Sequence, residues 1–143
     1  MNAVVVAVGS ELLGPGRRDT NGEWLIGRLF DLGIETSWRA VTGDDAPRIA
    51  RVVRSAMDDA GVVLLTGGLG PTEDDRTREA LALALDTPLM RDPAMADRIA
   101  ALFAAHGRVA GPRQARQADR PSGMAWIDNP LGSAPGLLLE RDA

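Results

Sequence analysis

Apolar and polar positions alternate in blocks along the first two thirds of the chain. Ala3–Gly9 is a continuous apolar run ending in glycine, the pattern of a strand buried on both faces. A glycine- and proline-rich loop follows over Gly9–Gly16. Asp19-Thr20 then offers a cap for a helix running to about Leu32. Leu25, Ile26, Leu29 and Leu32 keep helical spacing, and Gly33 is a natural stop. Ile34–Val41 has the β-branched and aromatic content of a second strand. Gly43-Asp44-Asp45-Ala46-Pro47 is a turn that leads into a helix with Ile49, Val52, Val53, Ala56 and Ala60 on one face. Val62–Thr66 predicts a third strand, and Arg76 to Leu85 a third helix. Asp92-Pro93 opens another helix, with Met95, Ile99, Leu102 and Phe103 inward and Gly107 at its end. Gly111–Ala118 reads as a short polar helix. Ala125–Ile127 and Leu137–Glu140 read as short strands around the turn Asn129–Gly136.

Strands alternating with helices imply right-handed crossovers and a mainly parallel sheet covered on both faces. The closing strand pair is expected to be antiparallel, which makes the sheet mixed. The fold class is therefore α/β, a three-layer α/β/α sandwich. With no internal repeat and no low-complexity linker, residues 1–143 are expected to form one domain.

Composition narrows the chemistry. The chain has no cysteine, which removes disulfides and thiolate metal sites. All sixteen basic residues are arginine, so Schiff-base chemistry and a Walker-type lysine are excluded. The net charge of −4 with no basic tract argues against nucleic-acid binding. No apolar run approaches the ~20 residues of a membrane span, and no signal peptide is evident, so a cytoplasmic protein is expected. One histidine and no tyrosine leave carboxylates, hydroxyls, arginine, backbone or metal to carry any reaction.

Three loops should leave the carboxyl ends of the strands, where open parallel sheets bind ligands. The first carries Gly9-Ser10-Glu11 and then Asp19-Thr20-Asn21. The second carries Gly43-Asp44-Asp45. The third is Thr66-Gly67-Gly68-Leu69-Gly70-Pro71-Thr72-Glu73-Asp74-Asp75. Its glycines would let backbone approach a ligand closely, and the helix behind it would offer N–H groups to an anion. Neither the P-loop nor the dinucleotide fingerprint fits these residues. Oxygen ligands from Asp44 and Asp75, with Asp74 or Glu11, would suit Mg²⁺ or Mn²⁺ shared with a phosphate. Taken singly, Asp19, Asp45, Asp74 and Asp75 read equally as helix caps. Arg17, Arg18 and Arg113 are candidate phosphate contacts or solvated surface. His106 reads as a helix C-terminal residue rather than a metal ligand, and Trp24, Trp38 and Trp126 read as core or sheet-face residues.

Together with Gln117-Ala118, Pro121 and Asn129-Pro130-Leu131-Gly132-Ser133-Ala134-Pro135-Gly136, these loops resemble the N-terminal domain of the competence/damage-inducible CinA family. That family lies within the wider molybdopterin-binding group that includes MogA and MoaB. The resemblance covers nearly the whole chain in matching order. It implies the same α/β/α fold and assembly into a homo-oligomer, a dimer or trimer. It also implies a nucleotide or pterin-phosphate ligand. Ligand binding would fall to Gly9, Ser10, Glu11 and Asn21, to Thr66, Gly67, Gly68, Gly70, Pro71, Thr72 and Thr77, and to Gly132, Ser133, Ala134 and Pro135. Asp44 and Asp75 would be the catalytic and metal-holding pair, with Asp74 beside them. CinA-type domains are associated with hydrolysing the pyrophosphate bond of ADP-ribose with a divalent metal (Mg, Mn or Co). The alternative is a non-catalytic module that holds molybdopterin, and a third is an inactive oligomerisation domain. The family pattern continues past this chain with a further loop, a helix and an amidase domain, so the domain is expected to be incomplete at its C-terminus. Gln114 stands where the family often has asparagine.

Overall fold

The computed structural model describes residues 1–141. Six of the seven residues of β1 (Asn2–Val8) are buried, as an apolar run with no polar alternation requires. β1 lies in the centre of a parallel sheet of order β2-β1-β3, where β2 is Glu35–Thr42 and β3 is Val62–Thr66. The register sets Val4 opposite Trp38 and Val63, and Ala7 opposite Val41 and Thr66. β2 alternates exposed and half-buried residues, the signature of an edge strand.

Two helices complete this part of the chain. α1 (Thr20–Asp31) starts on Asp19, whose carboxylate accepts the Gly22 N–H at 2.8 Å. Leu29, with Leu25 and Ile26, packs on Ala3, Val5, Val62 and Leu64. α2 (Ala46–Asp59) starts on Asp45, which caps the Arg48 N–H at 2.9 Å, and buries Ile49, Ala50, Val53 and Ala56. The chain moves from β1 to β2 in one direction and from β2 past β1 to β3 in the other. Right-handed crossovers therefore place α1 and α2 on opposite faces, which is why Val4 and Val6 are as buried as Ala3 and Val5.

Residues 1–68 form one compact unit and the chain from Leu69 onward forms a second. The second unit contains α3 (Thr77–Leu85), α4 (Pro93–Ala105) and the short α5 (Pro112–Ala115), which runs into a 3-10 turn at Arg116–Ala118. It also has two antiparallel ladders. β4 (Leu89–Arg91) pairs with β5 (Asp119–Pro121), and β6 (Ala125–Ile127) pairs with β7 (Gly136–Leu138). Met95, Ile99 and Ala118 are its core, with Phe103 and Trp126 against them.

The helices and the three parallel strands fall where the hydrophobic period puts them, and the closing strands are antiparallel. The differences are local. The closing pair is a ladder of its own rather than part of the parallel sheet. β4 and β5 escape sequence reading because each is three residues long and one contains Pro121, whose missing N–H is tolerated at a ladder end. Trp24 is exposed rather than core, Leu32 lies beyond the buried stripe of α1, and Leu102 of α4 is exposed rather than inward. A Trp at the second turn of a helix satisfies the apolar count without facing the sheet. Trp38 and Trp126 are half-buried, and their indole N–H groups are donated to Asp59 and Asp92 at 3.0 and 2.9 Å.

Candidate functional site

In the first unit the strand order reverses between β1 and β3, so the crevice at their carboxyl ends is the switch point of the sheet. Four segments meet around this edge. The chain leaving β3 crosses the end of β1 at Gly67. A β-carbon there would sit 2.0 Å from the Val8 carbonyl oxygen, and φ is +94°. Only glycine satisfies both conditions. Gly68 follows, also left-handed, with φ +69°. Thr66 Oγ1 accepts a hydrogen bond from Asn21 Nδ2 at 3.2 Å, which ties the N-terminus of α1 to the end of β3.

On the other side of β1, the Gly9 N–H is donated to the Thr42 carbonyl at 2.9 Å. Ser10 and Asp44 then lock together. Asp44 Oδ2 accepts the Ser10 N–H at 3.0 Å, and Ser10 Oγ accepts the Asp44 N–H at 3.1 Å. Gly43 makes room for this pair, since a β-carbon there would lie 3.0 Å from Ser10 Oγ. Glu11 lies in a 3-10 turn (Ser10–Leu13) and folds its carboxylate back over Gly9. Thus Gly9, Ser10, Glu11, Asn21, Asp44, Thr66, Gly67 and Gly68 belong to one sheet edge.

The rest of the glycine loop lies in the second unit, and there Asp75 organises it. Asp75 Oδ2 accepts both the N–H of Thr72, at 2.8 Å, and its hydroxyl, at 2.7 Å. Partial burial works against the Asp75 carboxylate. The Thr72 O–H and N–H, the Gly70 N–H and the nearby Arg78 guanidinium outweigh it and hold the carboxyl below its ordinary range. Gly70 is required by this fold-back, because a β-carbon would meet Asp75 Oδ2 at 2.6 Å. Asp74 is exposed, Pro71 is half-buried, and Thr77 is buried in the first turn of α3. Two arginines overlooked in the sequence hold the loop from behind. Arg78 donates to the carbonyls of Leu69 and Gly70, the latter at 3.3 Å. Arg116 donates to the Thr72 carbonyl at 3.5 Å and to Glu79 at 2.6 Å. Arg78 resembles any surface arginine in the sequence; its burial is a tertiary fact.

The turn near the chain's end is shaped by Asn129, which accepts the Leu131 N–H at 3.0 Å and donates to the Ala134 carbonyl at 2.8 Å. Gly132, Ser133 and Pro135 line a shallow depression against Met95, Ile99 and Leu102 of α4, with Ala134 half-buried beside them. Arg98 and Asp128 pair at its rim.

A divalent cation is a demanding guest. Among the described residues, no three carboxylate or histidine groups gather to hold a metal. Mg²⁺ commonly takes one or two carboxylates and completes its shell with water and ligand phosphates. Asp44 fits that partial role, since one N–H leaves its carboxylate further lone pairs. Asp75 Oδ2 is already engaged twice.

Residues 4–143 match the family described as "Probable molybdopterin binding domain". A CinA-like protein of Thermomicrobium roseum is 46% identical over 142 residues, covering 99% of this chain and 35% of that protein. A CinA-like protein of Koribacter versatilis is 44% identical, covering 99% of this chain and 34% of its own length. The chain thus spans about a third of the length of these curated relatives. Among solved structures, the protein CinA of Thermoplasma acidophilum, described as of unknown function, superposes with a TM-score of 0.84 at 32% identity, covering 95% of this chain and 79% of that one. The molybdopterin biosynthesis enzyme MoaB of Thermus thermophilus gives a TM-score of 0.52 at 25% identity, covering 71% and 64%. No helix among the described residues is long and apolar enough to cross a membrane.

Proposed function

Because the chain belongs to the probable molybdopterin binding domain family, in its CinA-like branch, we propose that it binds a phosphorylated small molecule of the molybdopterin type at the carboxyl ends of β1 and β3. The observation that carries this reading is the approach of Gly67 to the Val8 carbonyl. Two consecutive left-handed glycines there keep side chains off the backbone at the sheet's switch point, which gives a ligand phosphate room for close approach. Asn21 and Ser10 supply neighbouring polar groups on short, anchored side chains. Titration calorimetry with a pterin phosphate and with AMP tests it. Saturable binding that Asn21→Ala weakens is expected; no binding of either by the folded chain would end the proposal.

A second reading is metal-dependent hydrolysis of the pyrophosphate bond of ADP-ribose. The observation favouring it is the placement of Asp44 at the same sheet edge, held by Ser10. Asp44 would hold a cation shared with the ligand's phosphates. Such a cation supplies charge neutralisation on the bridging and leaving oxygens. AMP release from ADP-ribose with Mg²⁺, Mn²⁺ or Co²⁺, abolished by Asp44→Asn, would support this reading. Binding without turnover in any of these metals would leave the first reading alone. Assembly into a homo-oligomer belongs to both readings, and light scattering measures it.

A further inference from the structure

Arg78 is 3% exposed, and two of its guanidinium nitrogens donate to the carbonyls of Leu69 and Gly70. Those bonds constrain more than the oxygens. A trans peptide is planar, so its C=O and N–H point in opposite directions. When Arg78 draws the Leu69 carbonyl inward, the Gly70 N–H of the same peptide must face away from Arg78. That N–H is given to Asp75. The Gly70 carbonyl is drawn in at no cost in donors, because the next nitrogen belongs to Pro71 and carries no hydrogen. Arg116 acts similarly on the Thr72 carbonyl, at 3.5 Å.

The result is a loop with its acceptors turned to buried arginine and its donors on the other side. The Gly70 N–H, the Thr72 N–H and the Thr72 hydroxyl all converge on one anionic group, the Asp75 carboxylate. A loop that exposed its carbonyls instead would repel an anion. We infer that Arg78 is the positioning residue of this loop: by withdrawing the Leu69 and Gly70 carbonyls it presents the loop's donors to a single anion position, where a ligand phosphate would compete with Asp75. This rests on the phosphate-ligand reading above, although the orientation of the loop can be measured without any ligand.

The full chain serves for the test, with Arg78→Met and Arg78→Lys. Amide hydrogen exchange is followed at Gly70 and Thr72, with urea unfolding as the measure of global stability and AMP as the phosphate-bearing probe. In Arg78→Met, exchange at these two amides should rise at least tenfold beyond what the change in global stability accounts for, and AMP affinity should fall at least tenfold. Arg78→Lys keeps the charge but has no planar fork to span two carbonyls; it should restore part of the protection. If Arg78→Met does not fold, the excess exchange in Arg78→Lys relative to wild type decides the matter. Exchange at Gly70 and Thr72 that follows global stability alone would overturn the inference. If wild type binds no AMP, the phosphate-ligand reading fails, while the exchange data still judge Arg78.

Discussion

A β-carbon at Gly67 would stand 2.0 Å from the carbonyl oxygen of Val8. No side-chain rotation relieves that contact, because both partners are backbone, and the left-handed φ of +94° adds its own strain. Gly67→Ala is therefore expected to cost more than about 2 kcal/mol in urea unfolding. Gly33 is the control. It is also left-handed, at φ +71°, but its β-carbon would meet open space. Gly33→Ala should cost only about 1 kcal/mol. Equal losses at the two positions would refute the close approach.

Asp75 should make stability depend on acid. Its native carboxyl lies below the ordinary value of 3.8, so the folded state favours the ionised form. The stabilisation is complete above 3.8 and disappears as pH falls through the lower native value. Asp75→Asn cannot titrate. The gap in urea midpoint between wild type and Asp75→Asn should therefore be constant above 3.8 and close on further acidification. A gap that persists unchanged in acid would contradict the assigned bonds.

Ser10 and Asp44 exchange two hydrogen bonds, each using a backbone N–H of one and a side-chain oxygen of the other. Ser10→Ala and Asp44→Ala each remove one of these bonds, and each should lower stability by about 0.5–1.5 kcal/mol in urea unfolding. Unchanged stability in both variants would mean that the two residues do not hold each other.

Two large side chains should respond in opposite ways. Ile99 is 1% exposed in the core of the second unit, and Trp24 is 65% exposed on α1. Ile99→Ala is expected to cost about 2–5 kcal/mol. Trp24→Ala should stay within about 0.5 kcal/mol, as surface changes usually do. Thermal unfolding of the two variants distinguishes core from surface at once.

Asp19 accepts the Gly22 N–H at 2.8 Å and anchors the start of α1, the helix that carries Asn21. Asp19→Ala should cost about 1 kcal/mol by denaturation. Asp19→Asn should recover most of it, since an amide oxygen accepts the same bond. No recovery would point to charge rather than capping.

Much of this molecule is visible in its sequence because the signals are local. Two apolar runs and one β-branched and aromatic segment, each followed by a glycine-bearing turn and a helical pattern, dictate β1, α1, β2, α2 and β3. Asp19, Asp45 and Asp92 announce their helices because a cap acts within three residues. The glycine loop and Asp44 stand out for the same reason. Partners distant in sequence do not show. β4 meets β5 across some thirty positions, and neither strand is long enough to carry a period. Trp24 reads as core until the sheet shows which face of α1 it covers.

The sequence alone determined the parallel α/β frame, the capped helices and the loops that end on the sheet's edge, because propensity, period and turn chemistry operate between near neighbours. Only the tertiary structure decided that Gly67 must pass over Val8, that Ser10 holds Asp44, and that Arg78 is buried behind the loop. Each of those depends on how closely packing brings together groups separated along the chain or turned toward the interior, and spacing in the sequence carries no record of such distances.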